Sequence, residues 1–435
     1  MKTTIEILFS SNIANSKNKL LSFYTICTLL IGHMVFSQDI VQFKGVVTDS
    51  ETNDPLALAD LIIKDTNIST VTNAEGEFLL KVPNGMLDKS VTISYLGYKR
   101  QEIPLSDLKK RNTKIRLEEA ATVLAQIDLN IPKDAESLVR KALKLKGENY
   151  YDKSAIMTGF YRETIKKRNK NASLSEAVLE IYKQPYSSIK EDAIRLIKSR
   201  KNTNYSRLDT IALKLQGGPF SALHTDIMKY PEFIFSEDYL PAYDFTFDRS
   251  TQINNKLVYV VNFKQKKGIV DALYYGKLFI DANSYAMTSA VYNLDVTNRA
   301  QAVKLFVRKK PKKATVYPTN ASYRVNYRVK NGKWYYGYSN ISLTFKVNWK
   351  NRWFSNRYTL QSEMAITDWK QNAKGKIPRP KDRLKSNAIL IDEASGFSDP
   401  DFWGEYNIIE PEKSIESAIK KISKKLKKAQ SKKDD

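Results

Sequence analysis

The chain has 435 residues, of which 42% are hydrophobic and 11% aromatic, and its formal net charge is +24. This length is typical of roughly two or three domains, and the apolar content excludes a chain that is disordered throughout. The positive charge favours anionic partners such as phospholipid head groups, lipopolysaccharide or acidic glycans. High charge that only keeps the protein soluble is the alternative.

The first 37 residues have the pattern of a secretory signal peptide. Lys17 and Lys19 precede an apolar run, Leu20–Val35, and we expect cleavage before Gln38. The run is shorter than the roughly 20 residues that a membrane-spanning helix needs, and an uncleaved anchor is the alternative. We therefore expect an exported protein, either periplasmic or associated with the outer membrane, with no nucleic-acid partner.

The residue types that catalysis usually needs are scarce. Cys27 is the only cysteine and lies in the leader, so the mature chain has no thiol for a disulfide or a metal. His224 is the only histidine after the leader, which excludes a zinc site built from two histidines and a glutamate. The sequence also lacks a Gly-x-Ser-x-Gly elbow and a phosphate-binding glycine loop. We predict a protein that is not an enzyme and that uses no cofactor, metal or catalytic residue, and a hydrolase is the least favoured alternative.

Residues 42–118 contain seven short runs with the composition of β-strands, separated by turn residues such as Asn73 and Gly76. The predicted strands are Phe43–Thr48, Ala59–Lys64, Ser69–Val71, Phe78–Val82, Ser90–Tyr95, Tyr98–Ile103 and Thr113–Leu117. Several short strands at this spacing predict a small β-sandwich.

Three motifs in this region carry a resemblance to a known family. They are Gly45-Val46-Val47-Thr48-Asp49, then Thr70-Val71-Thr72-Asn73 with Gly76-Glu77-Phe78, and finally Ile93-Ser94-Tyr95-Leu96-Gly97-Tyr98. The region resembles the carboxypeptidase regulatory-like domain, a transthyretin-like β-sandwich at the front of many Gram-negative envelope proteins. A similar domain forms the N-terminal extension of TonB-dependent receptors. The resemblance implies an interaction or spacer module without catalysis.

A linker, residues 119–133, precedes a second domain that we predict over residues 134–369. Asp134 caps its first helix, and an Asn331-Gly332 turn closes a hairpin late in the domain. The other predicted elements are a hairpin of Ile156–Lys166 with Ala172–Tyr182, helices at Glu191–Ser199 and Phe220–Lys229, a β-meander from Leu257, and a strand at Gln301–Arg308. The predicted fold is mainly β, with a seven-stranded transthyretin-like sandwich, an α+β domain with a large curved antiparallel β-meander and a few helices, and a C-terminal basic helix.

Three aromatic residues lie out of phase with the apolar face of their strand. The apolar face of the strand is formed by the alternating residues from Ile341 to Val347. Strict alternation would place Trp334, Tyr336 and Tyr338 on the opposite face. A β-bulge near Gly337 would return these rings to the core. Without a bulge they would line a second surface for a ligand or partner, and they are the candidate residues for such a surface.

Residues 370–411 predict a linker followed by a docking segment. We expect this segment to pack on the sheet through Phe402-Trp403 and Tyr406-Asn407-Ile408-Ile409. Residues 412–435 predict a lysine-rich helix that either lies on an anionic membrane surface or is solvated. Its candidate membrane-contacting residues are Lys420, Lys421, Lys424, Lys425, Lys427 and Lys428.

Two functions from different classes follow from these elements. The first is an envelope protein whose sheet binds an apolar ligand or lipid. It draws on a resemblance of Leu257–Thr297 to the half-barrel carriers of periplasmic lipoproteins, through Tyr275–Asp281 and Ser284–Ala290. The second is a scaffold that binds an envelope protein, an outer-membrane partner or the anionic membrane surface. The sequence leaves the oligomeric state open.

Overall fold

The computed structural model describes residues 40–120, 134–168, 170–203, 215–253, 256–307, 310–350, 353–396 and 402–412. All of them from Val41 onward belong to one compact unit. The predicted leader, most of the linker at 119–133 and the predicted lysine-rich helix beyond residue 412 lie outside these ranges.

The N-terminal part contains the seven predicted strands. They are β1 (Ile40–Asp49), β2 (Asp60–Ile63), β3 (Ser69–Val71), β4 (Glu77–Pro83), β5 (Ser90–Ser94), β6 (Gln101–Pro104) and β7 (Thr113–Leu117), with short 3₁₀ helices at Asn84–Met86 and Leu105–Asp107. One sheet has the order β4-β1-β7 and the other β3-β2-β5-β6. Their facing apolar side chains, including Val47, Leu61 and Ile93, are buried in a shared core. The predicted sandwich is confirmed.

The turn before β4 explains why its sequence motif contains Asn73 and Gly76. The Asn73 side-chain oxygen accepts hydrogen bonds from the backbone N–H of Glu75 at 3.0 Å and of Glu77 at 2.8 Å. Gly76 has a φ of 71°, and a Cβ there would lie 2.5 Å from the Val47 carbonyl oxygen. Only glycine fits both requirements.

The second part of the chain is built on a large antiparallel sheet. Its strands are β8 (Ala155–Lys167), β9 (Lys170–Lys183), β10 (Ala193–Thr203), β11 (Tyr243–Ile253), β12 (Lys256–Gln265), β13 (Tyr274–Asp281), β14 (Met287–Leu294), β15 (Ala314–Lys330), β16 (Lys333–Trp349) and β17 (Asn356–Gln371). The order is β11-β12-β13-β14-β15-β16-β17-β8-β9-β10, and the short β18 (Ser395–Gly396) pairs in parallel with β10. The predicted meander and its Asn331-Gly332 hairpin are confirmed.

Helices connect and cover the strands. They are α1 (Ala135–Lys144), α2 (Lys146–Asn149), α3 (Gly218–His224), α4 (Arg299–Phe306) and α5 (Leu390–Glu393), with 3₁₀ turns at Pro231–Phe233, Leu240–Ala242 and Pro380–Asp382. Asp134 caps α1 as predicted, because its carboxylate accepts from the Ser137 N–H at 2.7 Å. The helix predicted over Phe220–Lys229 begins two residues earlier, at Gly218, and ends at His224.

Two predicted elements are wrong. Glu191–Ser199, predicted as a helix, contains the start of β10, and the β9–β10 register shifts between Leu196 and Lys198. This irregularity breaks the period of two and leaves apolar residues at a spacing that resembles a helix. Gln301–Arg308, predicted as a strand, overlaps α4, whose N-cap Asn298 accepts from the Gln301 N–H at 3.3 Å.

Adjacent residues of the large sheet pack in two different hydrophobic cores. We call the core on the helix-covered face the main core and the core on the opposite face the second core. In β8, Tyr161 packs in the main core with α1 and α3, whereas its neighbour Phe160 packs with Trp403 on the other face. The second core also contains Val71 and Leu79 of the sandwich. The sandwich and the segment 402–412 therefore lie against one face of the sheet, and the helices lie against the other.

Candidate functional site

The three aromatics that the sequence singles out are buried. The exposed fractions of Trp334, Tyr336 and Tyr338 are 5%, 0% and 0%. Asn326 pairs with Tyr338 and Tyr327 pairs with Tyr336, so Gly337 is the extra residue of a bulge in β16. Trp334 and Tyr336 pack in the main core, as the bulge interpretation expects. Tyr338, after the bulge, packs instead with Phe160 and Trp403 on the opposite face of the sheet. None of these three rings forms an exposed ligand surface. The six lysines between Lys420 and Lys428 lie outside the described residues.

An ion-pair cluster occupies the centre of the main core. The Lys183 ammonium lies 2.7 Å from a carboxylate oxygen of Asp192 and 2.8 Å from one of Asp226. The hydroxyls of Tyr186 and Tyr327 donate to Asp226 at 3.0 and 2.9 Å. Burial by itself lowers the pKa of Lys183, but the two carboxylates outweigh it and leave this pKa above its ordinary value. The polar atoms are used within the cluster, which is typical of a structural role.

Glu163 is a different kind of buried charge. Its carboxyl group accepts a hydrogen bond from Tyr161 at 3.1 Å, and a Cβ on Gly218 would lie 3.0 Å from Oε2. Burial raises the pKa of Glu163 to about 7. His224 lies elsewhere on α3, where its ring stacks on Phe233 at 4.6 Å between centroids, and burial lowers its pKa. The two side chains belong to separate local environments.

Buried polar contacts fix the sandwich to the sheet. The Arg328 guanidinium donates to Asp60 at 2.6 and 2.9 Å, to Ser69 Oγ at 2.7 Å and to the Ile366 carbonyl at 2.6 Å. Lys330 adds a hydrogen bond to the side chain of Asn67 at 2.6 Å. Because Arg328 is buried, these contacts require one defined orientation of the sandwich against β15 and β17.

The segment 402–412 is a third component of this interface. The Asn407 amide accepts from the Lys81 N–H at 2.7 Å and donates to the Lys81 carbonyl at 3.0 Å, as a paired strand would. Thr70 donates to the Ile408 carbonyl at 3.1 Å, and Arg162 of the sheet donates to the Ile409 carbonyl at 2.7 Å. The segment therefore forms hydrogen bonds both to the sandwich and to the large sheet, which are the two modules of the chain.

A cleft of about 280 Å³ remains open between the two modules. Arg100 and Thr92 line it from the sandwich, and Arg324, Arg328 and Ser289 line it from the sheet. Arg324 and Arg100 are anchored by hydrogen bonds, to Asn326 at 3.1 Å and to Thr92 at 3.2 Å respectively.

The hydroxyl of Ser289, a residue that is 5% exposed, has no hydrogen-bond partner within the described ranges. Buried hydroxyls normally have partners, and a bound polar group would supply one. The cleft, with its guanidinium groups and this hydroxyl, is the candidate functional site. Sequence reasoning missed it because its walls come from positions far apart in the chain.

The described residues offer neither a cluster of metal ligands nor a helix that could cross a membrane. No group of three or more His, Cys, Asp or Glu side chains lies in positions suited to a metal ion. Within the same ranges, no helix combines the length and the apolar character that crossing a bilayer requires.

Comparison with known proteins assigns a domain family to the N-terminal part of the chain. Residues 43–127 match the family model of the CarboxypepD_reg-like domain. The TonB-dependent receptor SusC of Bacteroides thetaiotaomicron is 34% identical over 71 residues, which are 16% of this chain and 7% of the receptor. Among solved structures, a DUF1329 family protein from Desulfovibrio piger is similar at 8% identity and a TM-score of 0.24, over 55% of this chain and 95% of that chain. The chain thus carries a CarboxypepD_reg-like domain at residues 43–127, as its sequence motifs predicted.

Proposed function

We propose that this protein is a non-enzymatic, exported binding protein of the cell envelope, in which the sandwich and the sheet together hold an acidic segment of a protein partner. The CarboxypepD_reg-like domain is typical of envelope and outer-membrane-associated proteins, and the local similarity to SusC agrees with that compartment. One observation carries the proposal: both modules contribute guanidinium groups to a single cleft whose geometry is fixed by buried contacts.

The chemistry of the cleft favours a carboxylate-rich partner. Arg100 and Arg324 come from opposite walls, and planar guanidinium groups bind carboxylates through paired hydrogen bonds. Asp60 and Asp65 also line the cleft. The Asp60 carboxylate is already bonded to Arg328, and Lys64 and Lys330 add two further cations to the lining. The unpartnered Ser289 hydroxyl supplies a further donor at the sheet wall.

The alternative of a lipid carrier has less support. A carrier needs apolar side chains that are open to an acyl chain, whereas Leu278, Val325 and Met364 on the helix-covered face are fully buried. These residues already pack in the main core. We therefore favour the scaffold function over lipid transport.

A peptide-binding experiment tests the cleft. The probe is a fluorescently labelled oligoglutamate peptide, and anisotropy measures its binding to the purified protein and to Arg324→Glu. We expect the reversal to weaken binding at least about tenfold, because it removes an attraction and adds a repulsion. Lys264→Glu is the charge-matched control, since Lys264 is exposed on β12 outside the cleft.

The outcomes separate the candidate functions. Equal binding by Arg324→Glu and Lys264→Glu would mean that net charge alone attracts the peptide, and the cleft proposal would fail. Mass spectrometry of an organic extract of the same protein tests the carrier. A lipid present in stoichiometric amount would favour transport instead.

A further inference from the structure

A second cavity, of about 490 Å³, lies at one end of the large sheet and is lined by cations. Arg168, Arg299, Lys346 and Arg357 surround it together with hydroxyl side chains, and its lining contains no carboxylate. The hydroxyl residues are Tyr317, Thr319 and Ser355. We call this site the basic pocket. It is separate from the cleft, with which it shares no residue.

The fold brings these residues together from β15, β16, β17, helix α4 and the chain just after β8. Lys346 of β16 pairs with Tyr317 of β15 on one side and with Arg357 of β17 on the other. The backbone N–H of Arg168, just after β8, donates to the Arg357 carbonyl at 2.8 Å. The Arg299 guanidinium lies 4.6 Å from the ring centroid of Tyr317. Throughout the described ranges, none of the four cations forms an ion pair with a carboxylate, so their charge is not neutralised locally.

Two aromatic side chains project into solvent beside the basic pocket. Trp353 is 100% exposed and Phe354 is 81% exposed. They lie between β16 and β17 and directly precede Ser355, which lines the pocket. Adjacent large aromatic side chains that are mostly exposed mark an interaction site rather than ordinary surface.

One long stretch of the chain that contributes to this end of the sheet is free of acidic residues. No Asp or Glu occurs between Asp295 and Glu363, a stretch that contains α4, β15, β16 and the start of β17. Additional exposed lysines flank the pocket in the connection before β15 and at the end of β16, namely Lys310, Lys312, Lys313 and Lys350. The end of the sheet thus combines a strong positive field with a protruding apolar tip.

We propose that this end of the sheet docks on an anionic phospholipid bilayer. Trp353 and Phe354 insert at the level of the head groups, and the basic pocket holds a lipid phosphate. Aromatic residues prefer the boundary between head groups and acyl chains, and basic residues beside them add attraction to anionic lipid. A soluble anion would use the pocket but would leave the aromatic tip without a role. The inference does not depend on the function proposed for the cleft.

Sedimentation with vesicles measures the docking. The full protein is mixed with vesicles of phosphatidylcholine and phosphatidylglycerol in equal parts, or of phosphatidylcholine alone. We expect binding only to the anionic vesicles. Lys346→Gln combined with Arg357→Gln should weaken it about 25-fold, at about fivefold for each cation removed. Lys264→Gln with Lys267→Gln is the charge-matched control and should stay near the unmodified protein.

Fluorescence quenching by brominated lipids identifies the inserted residue, whatever the C-terminal lysines contribute to sedimentation. The chain has five tryptophans, of which Trp353 is the fully exposed one. We expect brominated anionic vesicles to quench the unmodified protein and to quench Trp353→Phe far less. Ile189→Ser removes a fully exposed apolar residue elsewhere and should leave the quenching unchanged.

Three results would overturn the inference. One is quenching that is equal in Trp353→Phe and the unmodified protein. Another is equal loss of binding in the pocket variant and its lysine control. The third is binding of inorganic phosphate that the pocket substitutions abolish, in a protein that does not sediment with vesicles, since that marks a site for a soluble anion.

Discussion

Buried charged side chains have different kinds of partner on the two faces of the large sheet. On the helix-covered face, Lys183 and its carboxylates form a closed cluster inside one hydrophobic core. On the opposite face, Arg162 reaches from the sheet to the segment 402–412, and Arg328 reaches to the sandwich. The Lys183 cluster on the first face lies within a single core. The charges on the second face define how separate parts of the chain dock, and the cleft lies at that docked interface.

The largest expected effect tests the docking face. Glu176 is fully buried between the guanidinium groups of Arg162 and Arg200, each at 2.7 Å. Burial raises the pKa of Glu176, but the two arginines outweigh this and hold it below its ordinary value. Glu176→Gln leaves two buried positive charges without their counter-ion, and we expect the free energy of unfolding to fall by about 4 kcal/mol. Urea unfolding at neutral pH measures this.

An exposed pair provides the control for Glu176. Glu102 lies 2.8 Å from Lys64 on the surface of the sandwich. Glu102→Gln should leave the urea midpoint nearly unchanged, because solvent screens exposed pairs. A loss in Glu176→Gln no larger than in this control would mean that the buried network does not stabilise the fold.

The next prediction concerns Glu163 on the helix-covered face. Its folded-state pKa of about 7 lies above the ordinary value of 4.5 because of burial. The folded protein therefore binds more protons than the unfolded chain between these values, and this group's contribution to stability decreases as pH rises from about 4.5 to about 7. Glu163→Gln removes that penalty, and we expect stabilisation by about 3 kcal/mol at pH 8.

The pH dependence distinguishes this mechanism from a simple packing effect. The difference in unfolding free energy between Glu163→Gln and the unmodified protein should vanish near pH 4 and reach its full size above about pH 7. Urea unfolding at several pH values gives the profile. A difference that does not change with pH would show that ionisation of Glu163 is not responsible.

The sequence predicts local structure well where local chemistry determines it. The Asn73 turn, the Asp134 cap and the Asn331-Gly332 hairpin depend on a few adjacent residues, and the structure has all three. β10 was missed because its register shift at Leu196 disrupts the alternation. The bulge at Gly337 is the same kind of irregularity, but the sequence predicts it, because a glycine inside a strand often indicates a bulge.

The candidate site could not be predicted in the same way. Arg328 and Asp60 are 268 positions apart in sequence, and only the docking of the sandwich on β15 brings them together. The same applies to the basic pocket, because Arg168 reaches Arg357 only through the pairing of β8 with β17. Sites formed between distant strands leave no spacing pattern in the sequence.

The smallest predicted effect tests whether segment 402–412 holds the two modules together. Asn407 bonds to both the N–H and the carbonyl of Lys81, and Asn407→Ala removes both hydrogen bonds from these buried backbone groups. We expect a loss of about 2 kcal/mol in unfolding free energy. Hydrogen exchange should also accelerate at Lys81 and at neighbouring amides of β4, while the β15–β16 amides far from the interface stay protected.

Asn372→Ala is the matched control for Asn407→Ala. Asn372 is also a buried asparagine with two local hydrogen bonds, to Lys376. It lies after β17, and its side chain forms no hydrogen bond with the described residues of the sandwich. It should cost a similar free energy without faster exchange in β4, because its bonds close only its own loop. If both variants leave β4 equally protected, the segment is a passive cover, and the orientation of the cleft depends on the direct contacts of the sheet with the sandwich, such as those of Arg328 and Lys330.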